Sequence, residues 1–264
     1  MKRIKILSWN VNGVRAVLKK NFLPWLKKES PDILCLQETK VQPAQLPPEL
    51  LYPAGYHAFW NSASRPGYSG VATFVKEVGA HGGAPLRVEK GFGIPRFDGE
   101  GRLLETDHGD FVLLNVYFPN GKMGPERLKY KLDFYEQTLK HLVKLEKKAK
   151  RLVLCGDVNT AHQPMDLARP KENEDISGFL PVERKWIDRL IAYGFIDTFR
   201  VFNKDPGHYS WWDLKTGARE RNVGWRIDYH FISRDLEPRL DDAFILPEVM
   251  GSDHCPVGIV LKFN

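Results

Sequence analysis

Asp157 and Asn159 stand two residues apart at the end of the run Leu152-Val-Leu-Cys-Gly-Asp-Val-Asn-Thr160, where four apolar residues lead into Gly156. On an extended chain that spacing points both side chains the same way. A buried strand would then deliver a carboxylate and a carboxamide together to one rim of a sheet. Similar ends recur: Ile4 to Gly13 closes on Asn10 and Asn12, Asp32 to Thr39 on Gln37 and Glu38, and Phe111 to Asn120 on Tyr117 and Asn120. Two later segments reverse the order, with Asp228 ahead of Tyr229-His-Phe-Ile-Ser233 and Asp253-His254 ahead of Pro256-Val-Gly-Ile-Val-Leu261. If those two strands run antiparallel to the first four, then Asn10, Glu38, Asp157, Asn159, Asp228, Asp253 and His254 meet at one edge.

Such a set suits phosphodiester hydrolysis, which needs a hard cation to offset phosphate charge, a base for water and donors for the crowded oxygens. Oxygen ligands without a thiolate cluster favour Mg²⁺, with Mn²⁺ as a substitute, over zinc. Glu38 is the first expected metal ligand, assisted by Asn10 and Asp253, while Asp157 and Asn159 offer a second position. Asp157 is the expected general base, with Asn159 holding the nucleophile or a phosphate oxygen. His254 is the rival base; oriented by Asp228, it is favoured here as a phosphate contact and transition-state stabiliser. Tyr117 could donate to the phosphate or the leaving oxygen, and Asn120 is a further donor. Lys40 and Arg127 could neutralise the backbone nearby. Each has a plainer alternative: a helix-capping carboxylate for Glu38, a packed aromatic for Tyr117, a structural imidazole for His254.

The elements that must position these residues alternate along the chain. Val14 to Glu29 has near-helical apolar spacing, Pro43 to Pro53 is a proline-punctuated loop, and Tyr56 to Asn61 and Val71 to Val75 are strands. Val88 to Phe92 and Arg102 to Thr106 are further strands, and Pro125 to Ala149 is a long helix with a stripe from Leu128 to Leu145. The loop Ala161 to Leu180 is too long for a plain connection and is a candidate for function. Pro181 to Tyr193 is amphipathic, and strands resume around Phe195, Tyr229, Ala243 and Val257. The expected class is α/β: a four-layered α/β sandwich, two mixed, mainly antiparallel sheets face to face with helices outside. Ile33 to Thr39 faintly echoes Val153 to Thr160.

At 264 residues with 42% hydrophobic and 27% charged, one soluble domain spanning 1–264 is expected. A net charge of +6 favours an anionic partner such as nucleic acid. Cys35, Cys155 and Cys255 are an odd count inside apolar runs, which fits buried thiols in a reducing, cytoplasmic setting. The N-terminal residues read as a strand, so no signal peptide is expected, and no run is long enough to cross a bilayer as a helix.

Ser8-Trp-Asn-Val-Asn-Gly13, Leu36-Gln-Glu-Thr-Lys40, Gly67-Tyr-Ser-Gly70, Cys155-Gly-Asp-Val-Asn159, Asn222-Val-Gly-Trp-Arg-Ile-Asp-Tyr229 and Gly251-Ser-Asp-His-Cys-Pro256 span nearly the whole chain. Together, in this order, they resemble the motifs of the exonuclease III family of apurinic/apyrimidinic endonucleases. The resemblance implies the fold of the endonuclease/exonuclease/phosphatase superfamily, a Mg²⁺ or Mn²⁺ requirement, and incision of double-stranded DNA 5′ to an abasic site. It also implies some 3′→5′ exonuclease and 3′-phosphodiesterase action on blocked 3′ ends, by a monomer. Positions matching Trp211, Trp225 and Ile227 would wall a pocket for a flipped-out deoxyribose lacking its base. Arg15, Lys122, Asn173, Arg219, Arg221 and Arg226 are expected phosphate contacts. Asn12 stands where several relatives carry aspartate, Met123 and Lys215 fall at variable loop positions, and Glu174-Asp-Ile176 replaces basic and amide residues of some members. The competing expectations are another phosphoesterase of the superfamily, such as an inositol polyphosphate 5-phosphatase or a sphingomyelinase, and a catalytically silent lesion-binding protein.

Overall fold

The computed structural model describes residues 2–77, 83–85, 87–148 and 151–263. In chain order its strands are β1 (Lys2–Asn10), β2 (Ile33–Gln37), β3 (Tyr56–Asn61), β4 (Val71–Lys76), β5 (Arg87–Lys90), β6 (Leu103–Asp107) and β7 (Val112–Tyr117). There follow β8 (Leu152–Asp157), β9 (Phe195–Asp197), β10 (Trp211–Trp212), β11 (Gly224–Trp225), β12 (Asp228–Ser233), β13 (Leu240–Ile245) and β14 (Val257–Phe263). The helices are α1 (Val14–Leu18), α2 (Phe22–Glu29), α3 (Pro48–Leu51), α4 (Pro95–Asp98), α5 (Pro125–Glu146), α6 (Pro181–Ala192) and α7 (Thr198–Phe202).

Continuous apolar runs predict strands covered on both faces, and β2, β7 and β8 are central strands of this kind. One six-stranded sheet has the order β13-β14-β1-β2-β4-β3, the other β5-β6-β7-β8-β12-β9. Each contains a single parallel pair, β1 with β2 and β7 with β8, and is otherwise antiparallel. The two sheets therefore share one pairing pattern in which β2 corresponds to β8, which gives the echo between those two segments a structural counterpart.

Ile4, Ile6, Ile33, Cys35, Leu113, Val153, Cys155, Ile259 and Leu261 fill the space between the sheets. Leu7, Trp9, Leu34 and Phe74 pack against Phe22 and Leu26 of α2 on one outer face, and Leu114, Val116 and Leu154 pack against α5 and α6 on the other. This is the four-layered α/β sandwich that the element order predicts. Asn115 ties the sheets together by donating to the Ala72 carbonyl (2.8 Å) and accepting from Gln37 Nε2 (2.8 Å).

The single helix expected over residues 14–29 is two helices. Asn21 takes a left-handed conformation (φ 77°) between them, which an asparagine tolerates better than most side chains, and α2 is thereby re-aimed so that Phe22 and Leu26 reach the core. The proline-punctuated segment 43–53 contains a short 3₁₀ turn and α3. Helix α5 buries Phe134, Tyr135, Leu139, Leu142 and Leu145 but ends at Glu146; Ala149, where it was expected to end, lies outside the described residues. No described helix is long and apolar enough to cross a membrane.

Candidate active site

Pairing register sets the foundation of the site. Tyr117 of β7, Asp157 of β8 and Asp228 of β12 are direct partners across three neighbouring strands, so their side chains project from one face. Asn10 approaches from the facing sheet. Its Nδ2 donates to Asp157 Oδ2 (2.8 Å) and to Glu38 Oε2 (3.0 Å), joining the two sheets at their common rim.

Asp157 and Asn159 do come together, but not through the extended spacing expected of them. Asn159 is left-handed (φ 56°), and the chain turns back so that its backbone N–H reaches Asp157 Oδ1 (2.8 Å) while its Nδ2 reaches Oδ2 (3.2 Å). The same conformation recurs at Asn12, Glu38 and Lys40 (φ 45°, 56° and 54°), just beyond β1 and β2. Non-glycine residues held there cost on the order of 1 kcal/mol or more each, strain of a kind that gathers at functional sites.

His254 is buried, with Nδ1 2.8 Å from Asp228 Oδ2 and Nε2 3.9 Å from Asp157 Oδ2. Burial alone would lower the imidazole's affinity for its proton, but Asp228 and the other carboxylates outweigh it and raise the pKa to about 10. Burial pushes the Asp157 carboxyl up to about 7; His254 opposes this rise and Asp228 adds to it. Burial also holds the Tyr117 phenol well above its usual range, reinforced by Glu38 and opposed by Arg102, whose guanidinium lies 4.5 Å from the Tyr117 ring.

Asp253 accepts from Asn12 Nδ2 (3.0 Å) and from the Trp211 indole (3.0 Å), which links the acidic corner to the aromatic wall. Lys40 Nζ sits 2.8 Å from Glu38 Oε1 and 2.6 Å from Asn12 Oδ1. A cation is therefore already drawn to this oxygen-lined corner, a donor set suited to a hard divalent ion. A second group able to hold a cation, Asp157, Asp228 and His254, lies within the same notch; there Asp228 Oδ2 is already engaged by His254 and Ser210. The three cysteines are buried and free.

Above this polar floor stands the aromatic wall. Trp211 and Trp225 are register partners on the two-stranded ribbon of β10 and β11, their ring centroids 6.3 Å apart and nearly perpendicular. Behind them, Ala161, Leu167, Phe179 and Ile227 form a small apolar cluster. One cavity of about 220 Å³ is lined by Glu38, Tyr117, Asn120, Lys122, Asp157, Asn159, Trp211, Trp225, Ile227, Asp253 and His254. Ser177 and Gly178 also line it. Sequence reasoning did not single them out as site residues, although the unusual length of loop 161–180 was the available signal. Gly178 is required where it stands, because at φ 105° a Cβ would come within 3.2 Å of the Trp225 ring.

The expected phosphate contacts divide. Asn120 and Lys122 face the cavity, with Lys122 Nζ above both Trp211 (5.4 Å) and Trp225 (5.6 Å). Lys40 is in the acidic corner, and Arg15 is exposed on α1. Arg127 is held by Glu100 and Tyr68, Arg219 fans onto the carbonyls of Pro247, Val249 and Ser252, Arg221 donates to Thr216 O, and Asn173 donates to Arg169 O. Arg226 departs most from expectation. It is 1% exposed, donates to Asp166 Oδ1 (2.8 Å) and pairs with both oxygens of Asp197, so it is an internal strut rather than a surface contact.

Residues 7–254 match the model of the endonuclease/exonuclease/phosphatase family. The chain belongs to that family. It is 45% identical over 261 residues to an exodeoxyribonuclease of Bacillus subtilis (strain 168), covering 98% of this chain and all of that protein. It is 43% identical over 261 residues to the DNA repair nuclease APEX1 of Danio rerio, covering 98% of this chain and 82% of the relative. Among solved structures, the AP endonuclease LMAP of Leishmania major superposes with a TM-score of 0.89 at 30% identity, covering all of this chain and 89% of that one. Fold and family thus agree with the motif resemblance.

Proposed function

We propose that this member of the family is a DNA repair nuclease that hydrolyses the phosphodiester 5′ to an abasic site in duplex DNA. The observation that carries this reading is that a single small cavity holds both the Asp157, Asn159 and His254 set and the Trp211, Trp225 and Ile227 wall. The polar floor suits attack on a phosphate, and the apolar wall suits a deoxyribose stripped of its base better than a nucleotide that keeps it. The names of the relatives, a DNA repair nuclease and an exodeoxyribonuclease, support DNA as the substrate and leave room for 3′ exonuclease and 3′-phosphodiesterase action.

Glu38, with Asn10 and Asp253, would hold Mg²⁺ or Mn²⁺, and Asp157 and Asn159 offer a second position. When bound, the cation offsets phosphate charge and makes a nearby water easier to deprotonate. Asp157, hydrogen-bonded by Asn10 and Asn159, is placed to take the proton from water as its oxygen bonds to phosphorus and the bond to the 3′ oxygen breaks. His254 faces the same space with Nε2 while Asp228 engages Nδ1; it serves as a charged donor to the phosphate rather than as the base. Asn120 lines the same cavity and would supply a further donor, Asn159 steadies Asp157 through its Nδ2, and Tyr117, also in the lining, would donate to the phosphate or to the leaving 3′ oxygen.

The test is a duplex carrying one tetrahydrofuran abasic analogue, incubated with Mg²⁺ or with EDTA. Metal-dependent incision 5′ to the analogue is expected, since the analogue cannot undergo β-elimination and is cut only by hydrolysis. Binding without a cut in Mg²⁺ would leave a lesion-binding protein, and cutting indifferent to the lesion would leave a general phosphoesterase.

A further inference from the structure

Ser210 precedes Trp211 and is fully buried between the aromatic ribbon and the Asp228–His254 pair. Two backbone N–H groups, those of Ile227 and Asp228, point at its Oγ, each at 3.1 Å. A serine hydroxyl has two acceptor positions and one proton. With both acceptor positions taken, its proton is committed to Asp228 Oδ2, 2.6 Å away. That oxygen also faces His254 Nδ1, whereas Asp228 Oδ1 is buried without a hydrogen-bond partner among the described residues. The Asp228 carboxylate is therefore held by one oxygen only, and Ser210 supplies one of its two holds. The backbone of Ser210 extends the link: its N–H donates to the Trp225 carbonyl (2.9 Å), and its carbonyl accepts from Cys255 N–H (2.8 Å), next to His254.

We propose that Ser210 is a positioning residue that locks the Asp228 carboxylate, and through it the His254 imidazole, to the ribbon carrying the sugar-pocket tryptophans. Without the hydroxyl, the Asp228 carboxylate can turn about its Cβ–Cγ bond, and the imidazole turns with it. The peptide groups of Ile227 and Asp228 lose an acceptor in the same stroke. The consequence falls on the transition state, because a ring displaced by a fraction of an ångström still permits DNA to bind but no longer meets the phosphate as the leaving bond stretches. This inference rests on the reading of His254 as a phosphate contact.

The experiment compares Ser210→Ala, His254→Ala and the double variant in single-turnover cleavage of the tetrahydrofuran duplex, with binding of the uncleaved duplex measured in EDTA. Ser210→Ala is expected to lower kcat by roughly 100-fold while leaving duplex affinity unchanged. In the His254→Ala background the same change should cost nothing further, since two residues acting through one group are not additive. Ser210→Thr, which keeps the hydroxyl, should restore most of the turnover. Independent, multiplicative losses in the double variant would overturn the proposal, as would a Ser210→Ala loss confined to affinity or a Ser210→Thr as impaired as Ser210→Ala. If the wild-type protein leaves the tetrahydrofuran duplex intact, the functional reading itself fails, and the cycle is run on a 3′-phosphorylated duplex, where the same outcomes decide the role of Ser210.

Discussion

Asp157 is held from three sides, by Asn10 from the opposite sheet, by Asn159 from the turn that follows it, and by the electrostatic reach of His254. Its carboxyl is kept near 7 by burial, so ionising it in the folded protein without a bound cation is costly. A carboxyl raised in this way stabilises the fold at low pH and loses that contribution as pH rises through about 7. Asp157→Asn is therefore expected to make the melting temperature of the metal-free protein less dependent on pH between about 4 and 7, while lowering single-turnover cleavage by about 10²–10⁴-fold. Near-normal cleavage would remove Asp157 from the role of base. Glu38 tests the metal corner separately. Glu38→Gln should raise the Mn²⁺ dissociation constant, read by calorimetry on the free protein, by at least about tenfold. An unchanged constant would move the cation towards the Asp157, Asp228 and His254 group. The identities of these residues were legible from strand ends in the sequence. The left-handed turns at Asn12, Glu38 and Asn159 were not, because they follow from how each chain leaves its strand beneath the opposite sheet.

At the level of elements, the ribbon of β10 and β11 carries the aromatic wall, and Arg226 holds it in place. Its guanidinium joins Asp166 of loop 161–180 to Asp197 at the end of β9 and lies 4.4 Å from the Tyr229 ring. Arg226 is flanked in sequence by the wall residues Trp225 and Ile227, and an arginine so placed reads as a phosphate contact until its burial is seen. Removing one partner of a buried ion pair leaves uncompensated charge, so Arg226→Met should cost about 3–5 kcal/mol in a denaturant titration. The salt dependence of duplex binding should keep its slope, whereas loss of a true phosphate contact would reduce it. The break between α1 and α2 belongs at the same scale. Apolar spacing over residues 14–29 favours helix throughout, and only the need to seat Phe22 against Trp9 and Phe74 explains the left-handed Asn21.

Across the whole molecule, buried charge makes the fold sensitive to acid. Burial would raise the Asp166 carboxyl, but Arg226 and Arg200 prevail and lower it from an ordinary 3.8 to about 2. A depressed carboxyl contributes stability that is present above its unfolded pKa and is lost as pH falls towards its folded one. About 2 kcal/mol should therefore disappear between roughly pH 4 and pH 2 from this group alone. Chemical denaturation across that range should show the loss, and Asp166→Asn should make the decline shallower; an equal slope in both proteins would mean that the two arginines do not perturb Asp166. The two sheets have the same pairing pattern and the polar rim lies where their parallel pairs end, so the notch depends on how the halves meet rather than on either half alone.

Taken by itself, the sequence determined the α/β class, the strands whose ends carry polar residues, and the family those ends resemble, because strand burial and motif order are written in local residue types. The tertiary structure decided which charged groups face the notch and which are consumed internally. Lys122 reaches over the tryptophans, whereas Arg226 and Arg219 spend their donors on buried carboxylates and loop carbonyls. It alone revealed Ser210, Ser177 and Gly178 at the site. A hydroxyl or a missing side chain gains its meaning from the atoms that fold against it, and those atoms come from strands and loops remote in the chain.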